Sequence, residues 1–222
     1  MNRNILKIIA VISMLIDHIG AFIFQNLNWL RLIGRLAFPI FAFFIAEGLK
    51  HTSNKRKYIV TLLIFAIISQ IPYFLLKEWF KLNILFTFLT AILIIYLIET
   101  INRNFLLKTT SLTSIFVVLL LLELFSVIDY GIIGIILIMV FYFSKDKKTS
   151  LLYGAITLLV LSLYNAYLGN FTLYSFNQFI GLLSIPILSL YNNEKGKVNL
   201  KYLFYIFYPL HLLIIYIITL YV

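Results

Sequence analysis

Nine stretches dominated by Ile, Leu, Phe and Val, each close to the length that crosses a bilayer, alternate along this chain with short polar loops. A spanning helix needs about 20 mostly apolar residues for a hydrocarbon core of about 30 Å. The pattern therefore predicts helices near 4–24, 33–49, 58–76, 84–101, 111–128, 131–144, 151–168, 175–191 and 202–221. The sixth is short, and reads either as one of a tilted pair with the fifth around Asp129-Tyr130-Gly131 or as a broken helix. No long linker, low-complexity tract or internal repeat interrupts the series, so residues 1–222 read as one all-α polytopic membrane domain with about nine transmembrane helices. The first stretch follows Arg3 and Lys7 like the charged start of a secretory signal. Asp17-His18 interrupts its apolar run and no small-residue cleavage site follows, so it is expected to stay as an anchor.

Composition sharpens the picture. Hydrophobic residues are 63% of the chain and charged residues 12%, too little polar cover to keep water off the apolar surface. With the N-terminus cytoplasmic, inner segments carry Arg3, Lys7, Lys50, Lys55, Arg56, Lys57, Arg103, Lys108, Lys145, Lys147, Lys148, Lys195, Lys197 and Lys201. The outer ones carry only Arg31, Arg35, Lys77 and Lys81, a bias that sets the orientation and leaves the C-terminus outside. The net charge of +10 is matched by anionic membrane lipids and needs no nucleic-acid partner. Cysteine is absent, which removes thiolate nucleophiles, disulfides and sulfur metal sites.

Ionisable groups inside apolar segments then stand out: Asp17, His18, Arg35, Glu123 and His211. An aspartate at a helix centre costs about 3 kcal/mol on insertion scales. Asp17 therefore needs a partner, and Arg35, at the outer start of the second helix, is the nearest that can grip a carboxylate with two prongs. The pair can staple two helices, form part of a site, or do both. Asp17 and His18 lie about 20 Å along the first helix from the inner face, in the outer half of the membrane. Neighbouring positions diverge by about 100°, so Asp17 does not orient His18. His18 can serve as a general base or as a core histidine bonded to a carbonyl. His211 follows Pro209, whose kink exposes backbone polar groups that line cavities, and Pro39 invites a similar kink. At the inner end, Glu47, His51, Lys55, Arg56 and Lys57 form either a solvated basic loop or a phosphate clamp. No Walker loop, dinucleotide fingerprint, zinc-spaced His pair or serine elbow occurs.

The ordered strings LKIIAVISMLIDHIGA, RLIGRLAFPIFAFFIAEGLKHTSNKRKYIVTLLIFAIISQIPY, NILFTFLTA, IDYGIIG and KYLFYIFYPLHLLII resemble the TraX family of membrane proteins from the first helix to the last. The resemblance implies an acetyltransferase-like role in the bacterial cytoplasmic membrane, since the family is named for a conjugation protein that acetylates pilin. A looser likeness to larger membrane acyltransferases matches His18, then Phe43 and Phe44 ahead of Lys55-Arg56-Lys57, then Tyr208 through His211. The basic run departs from the paired arginines of that wider group. The implied reaction takes an acetyl group from cytoplasmic acetyl-CoA to a pilin-like peptide, lipid or glycan. His18 would act as base, Asp17 and Arg35 in support, and His211 as second base or carbonyl donor. Glu47, His51, Lys55, Arg56 and Lys57 would hold the donor. The competing reading is a proton-coupled transporter or flippase built on the same buried charges. A third is a non-catalytic partner of a conjugation apparatus.

Overall fold

The computed structural model describes residues 1–77, 81–100, 109–110, 113–115, 117, 129–198 and 200–221. Its long elements are helical: α1 (Arg3–Phe22), α2 (Asn28–Gly34), α3 (Ala37–His51), α4 (Lys55–Leu76), α5 (Ile84–Thr100), α6 (Gly131–Phe143), α7 (Lys147–Leu168), α8 (Ser184–Ser189) and α9 (Lys201–Thr219). A 3₁₀ segment (Leu173–Leu183) leads into α8. The predicted segments 4–24, 33–49, 58–76, 84–101, 131–144, 151–168 and 202–221 thus correspond to α1, α2 with α3, α4, α5, α6, α7 and α9. Most of segment 111–128, Glu123 included, lies outside the described residues. Among the described residues, four helical stretches are long and apolar enough to cross a membrane: Arg3–Phe22, Asn28–His51, Lys55–Leu76 and Lys147–Leu168.

Local chemistry sets the helix starts. Asn2, Asn54 and Asp146 each accept a backbone N–H three residues ahead, from Ile5 (3.1 Å), Lys57 (2.8 Å) and Thr149 (2.9 Å). The second span breaks between α2 and α3 at Arg35-Leu36. Pro39 accounts for this: its ring crowds the carbonyl four residues back, at Arg35, while its missing N–H falls in the first turn of α3 where no helical partner is needed. At α6 the chain turns through left-handed Tyr130 (φ 62°) and Gly131 (φ 53°). The Tyr130 ring stacks on Phe38 at 3.7 Å, which holds a non-glycine residue in that conformation. Residues 173–183 differ from the α-helix expected over 175–191. A 3₁₀ run this long is unusual, and its rise of about 2 Å per residue carries the chain through similar depth with fewer residues.

Helix α1 lies against α2, α3 and α9; α9 also packs on α4, and α3 on α6. The shared interior holds Leu6, Ala10, Ile40, Leu49, Leu62, Ile92, Ile135 and Leu212. Buried polar side chains accompany them. Asn83 is fully buried. Its amide donates to the Ala66 carbonyl (2.8 Å) and to Gln70 Oε1 (2.7 Å), and its Oδ1 accepts from the Leu85 N–H (3.0 Å). The outer faces are apolar instead: Val60, Ile64, Ile67, Ile68 and Ile71 on α4, and Leu152, Ile156, Leu159, Val160 and Leu163 on α7, are exposed. A protein with amides inside and isoleucine outside is matched to a lipid solvent.

Asn83→Ala is expected to cost about 2 kcal/mol, since it leaves the Leu85 N–H without its acceptor in an apolar interior and removes the bonds to the Ala66 carbonyl and Gln70 Oε1. Ile67→Val on the outer face should change stability by less than about 0.5 kcal/mol. Thermal unfolding of the two variants in nanodiscs checks the contrast; equal shifts would contradict it.

Candidate functional site

The site begins in the last two turns of α1. Asp17 is the anchor. Its Oδ2 accepts from Arg31 Nη1 at 2.6 Å and its Oδ1 from Arg35 Nη2 at 2.7 Å. Arg31 Nη1 also reaches the Asp17 carbonyl at 3.1 Å, and Arg35 Nε donates to the Arg31 carbonyl at 3.2 Å. The predicted Asp17–Arg35 pair is thus one half of a three-charge clamp. Arg31, four residues before Arg35 on the same helix face, is the member that sequence reasoning left as an ordinary outer charge. Gly34 lies between them, and a Cβ there would overlap the Asp17 side chain. Only glycine lets α2 approach α1 closely enough for both guanidiniums to reach. Arg35 Nη1 extends the network to Gln178 Oε1 at 3.5 Å, and Asn28 and Asn177 exchange amide bonds beside it (2.8 and 3.4 Å).

His18 leaves α1 in a different direction, toward α9. Its Nδ1 lies 2.7 Å from His211 Nε2, with the rings stacked at 4.9 Å and 15°. His211 is buried, and its Nδ1 lies 2.8 Å from the Phe207 carbonyl. A carbonyl can only accept, so His211 Nδ1 carries the hydrogen and its Nε2 presents a lone pair. That lone pair accepts from His18 Nδ1–H. His18 Nε2 is then left unprotonated, with no hydrogen-bond partner among the described residues. The order Phe207 carbonyl, His211, His18 sets the tautomer of the outermost imidazole, as a carboxylate does in hydrolytic triads.

That imidazole lines a cavity of about 620 Å³. Asp17, Arg31, Lys77, Asp129, Tyr130 and Tyr208 share its wall near His18. Here Tyr73 donates to Asp129 Oδ2 at 2.9 Å, and Lys77 Nζ lies 3.2 Å from the Tyr73 hydroxyl and 3.7 Å from Asp129 Oδ1. This second polar cluster was legible only as a Tyr73/Lys77 spacing of one helical turn. Phe38, Phe41, Leu62 and Phe88 line the middle of the cavity, and Arg3, Lys7, Lys195 and Lys197 its far end, at the start of α1.

The five residues expected to hold a donor occupy other ground. Glu47 Oε1 accepts from the Tyr191 hydroxyl at 2.7 Å, and its Oε2 is buried with no hydrogen-bond partner among the described residues. Burial and then the bond to Glu47 push the Tyr191 phenol above its usual range, so it stays the donor of that bond. His51 ends α3, exposed. Lys55 pairs with Glu99 at 2.5 Å and meets the Tyr142 hydroxyl at 3.2 Å. None of Glu47, His51, Lys55, Arg56 or Lys57 lines the cavity, although Gly48, Thr52 and Tyr58 from the same segments do.

The family model described as TraX protein matches residues 2–219. The chain belongs to the TraX family. Within it, the chain is similar to the probable fimbrial assembly protein FimC, serogroup H1, of Dichelobacter nodosus, at 29% identity over 96% of both chains. It is 35% identical to protein TraX of Escherichia coli over 44% of this chain and 40% of that one. An uncharacterized protein of Rickettsia prowazekii matches at 29% over 67% of this chain and 58% of its own. No solved structure matches. Of these relatives, the Dichelobacter nodosus protein is the one named for fimbrial assembly.

The proton order of the histidine pair is directly measurable, because the chain has only three histidines. Nitrogen-15 solid-state NMR of histidine-labelled protein in lipid at neutral pH should show His211 protonated at Nδ1. His18 should be protonated at Nδ1 and bare at Nε2. His18 carrying its hydrogen on Nε2 would contradict the relay.

Proposed function

We propose that this protein is a multi-pass membrane acetyltransferase with a cytoplasmic N-terminus. It moves the acetyl group of cytoplasmic acetyl-CoA to an amine or hydroxyl acceptor in the outer half of the membrane. The observation that carries the reading is the His18–His211 pair, Nδ1 to Nε2 at 2.7 Å, on the wall of one cavity whose lining also includes Arg3, Lys7, Lys195 and Lys197. The apolar exterior and the fourteen-to-four distribution of Lys and Arg support the membrane orientation.

The chemistry follows from the tautomer. His18 Nε2 takes the proton of the acceptor N–H or O–H as its nitrogen or oxygen attacks the thioester carbonyl. The tetrahedral intermediate then expels the coenzyme thiolate. His18 returns the proton to that sulfur, giving free thiol and acetylated acceptor, and the base is restored. His211 steadies the transient imidazolium through the bond at Nδ1, backed by the Phe207 carbonyl. Asp17, held by Arg31 and Arg35, fixes the adjoining turn of α1 and acts as a positioning residue. Transfer is direct, because no cysteine is present and His18 is already committed as base. The relative named for fimbrial assembly favours a pilin-like acceptor.

Purified protein in nanodiscs should bind acetyl-CoA and hydrolyse it slowly when no acceptor is supplied. His18→Ala should lower that turnover by about 100-fold or more while retaining the elution profile and thermal midpoint of the wild type. His211→Ala should lower kcat more than it alters KM. Full turnover in folded His18→Ala would sink the assignment. Failure to bind acetyl-CoA, with proton-dependent solute uptake into vesicles, would identify a carrier instead.

A further inference from the structure

The inner end of the cavity differs from an ordinary basic loop. Lys195-Gly196-Lys197 is pinned over the first turn of α1 by three contacts. The Arg3 N–H donates to the Glu194 carbonyl (2.8 Å), Asn4 Nδ2 donates to the Val198 carbonyl (2.6 Å), and Gly196 takes φ 82° against Asn4. A Cβ at Gly196 would lie 2.7 Å from Asn4 Nδ2, so glycine is required both for the turn and for the approach. The neighbouring carboxylate, Glu194, is engaged by Asn192 at 2.8 Å and does not line the cavity. Lys7 lies one turn deeper, over the rings of Phe44 and Phe204 at 5.6 and 5.1 Å. Fixed backbone here brings cations from two distant parts of the chain to one mouth.

Helix α1 supplies a ruler. Lys7 and His18 are eleven positions apart on one helix, about 16 Å at 1.5 Å per residue, and Arg3 is about 6 Å farther out. The pantetheine arm between a coenzyme A diphosphate and its sulfur is a thirteen-bond chain, slightly over four extended residue-lengths, about 15 Å. The two lengths agree. The wall between them is largely aromatic and aliphatic, suited to an arm with few polar groups.

We infer that Arg3, Lys7, Lys195 and Lys197 form the anion site for the diphosphate and ribose phosphate of a coenzyme A thioester, held one arm's length from His18. The inference rests on the acetyl-CoA reading above and moves the phosphate contacts away from Lys55, Arg56 and Lys57. Arginine forks and lysine ammoniums on a fixed loop suit phosphates spaced along a nucleotide.

Equilibrium binding of coenzyme A to the full chain in nanodiscs of uncharged lipid tests it. The Arg3→Ala/Lys195→Ala/Lys197→Ala variant should raise Kd by about ten-fold or more. It should leave unchanged the His18-dependent hydrolysis of S-acetylpantetheine, which lacks the phosphates and so reports on folding. Should that variant fail to fold, the wild type still decides. Saturating coenzyme A should shield Lys195 and Lys197, but not Lys57, from an amine-reactive ester. An unmoved Kd, or unshielded Lys195 and Lys197, would overturn the site while leaving the transferase reading standing. Folded wild type that binds no coenzyme A would overturn both.

Discussion

The clamp of Asp17 between Arg31 and Arg35 is the interaction on which the rest of the site depends. Three charges inside a bundle with an apolar exterior would each be costly alone. Together, with a glycine that removes the steric barrier between α1 and α2, they convert that cost into a fixed helix-helix geometry. Charge pairs in apolar surroundings contribute less to net stability than to uniqueness, since removing one partner strands the others. Here the unique arrangement is the rotation of α1 about its axis. Adjacent side chains on a helix diverge by about 100°, so a rotation that gives Asp17 to α2 necessarily turns His18 toward α9.

The histidine pair then inherits its order from backbone. Phe207 offers a carbonyl one turn before His211, and that single acceptor dictates where each hydrogen sits as far as His18 Nε2. The Asp17 clamp fixes where the imidazole is, and the Phe207 relay fixes its tautomer. Catalytic groups commonly need both kinds of control. The arrangement explains how adjacent residues Asp17 and His18 can belong to one site without touching each other's chemistry.

Much of the fold was legible because lipid imposes a simple rule on sequence: spans of set length, charge at their ends, and polar residues inside only with partners. The segment read as short, 131–144, is the helix α6 over Gly131–Phe143. The 3₁₀ run at 173–183 was not legible, because hydrophobic pattern over so few turns does not separate a rise of 2 Å per residue from one of 1.5 Å. At the site, Asp17, Arg35, His18 and His211 announced themselves as ionisable groups in apolar runs. Arg31 did not, because a position near a span end is where an unremarkable arginine also sits. The cationic mouth was hidden for a different reason: Arg3 and Lys197 are joined only by tertiary folding, whereas Lys55-Arg56-Lys57 is conspicuous by adjacency.

The transferase reading requires a single cavity to bring a thioester from the cationic mouth to His18. An experimental structure of the protein in lipid with a non-hydrolysable acetyl-CoA analogue tests it most directly. Phosphate density is expected between Arg3 and Lys197, with the acetyl carbonyl at the level of His18, within about 4 Å of the path a nucleophile deprotonated by Nε2 would take. Phosphates seated on Arg56 and Lys57, or an acetyl group distant from His18, would contradict it.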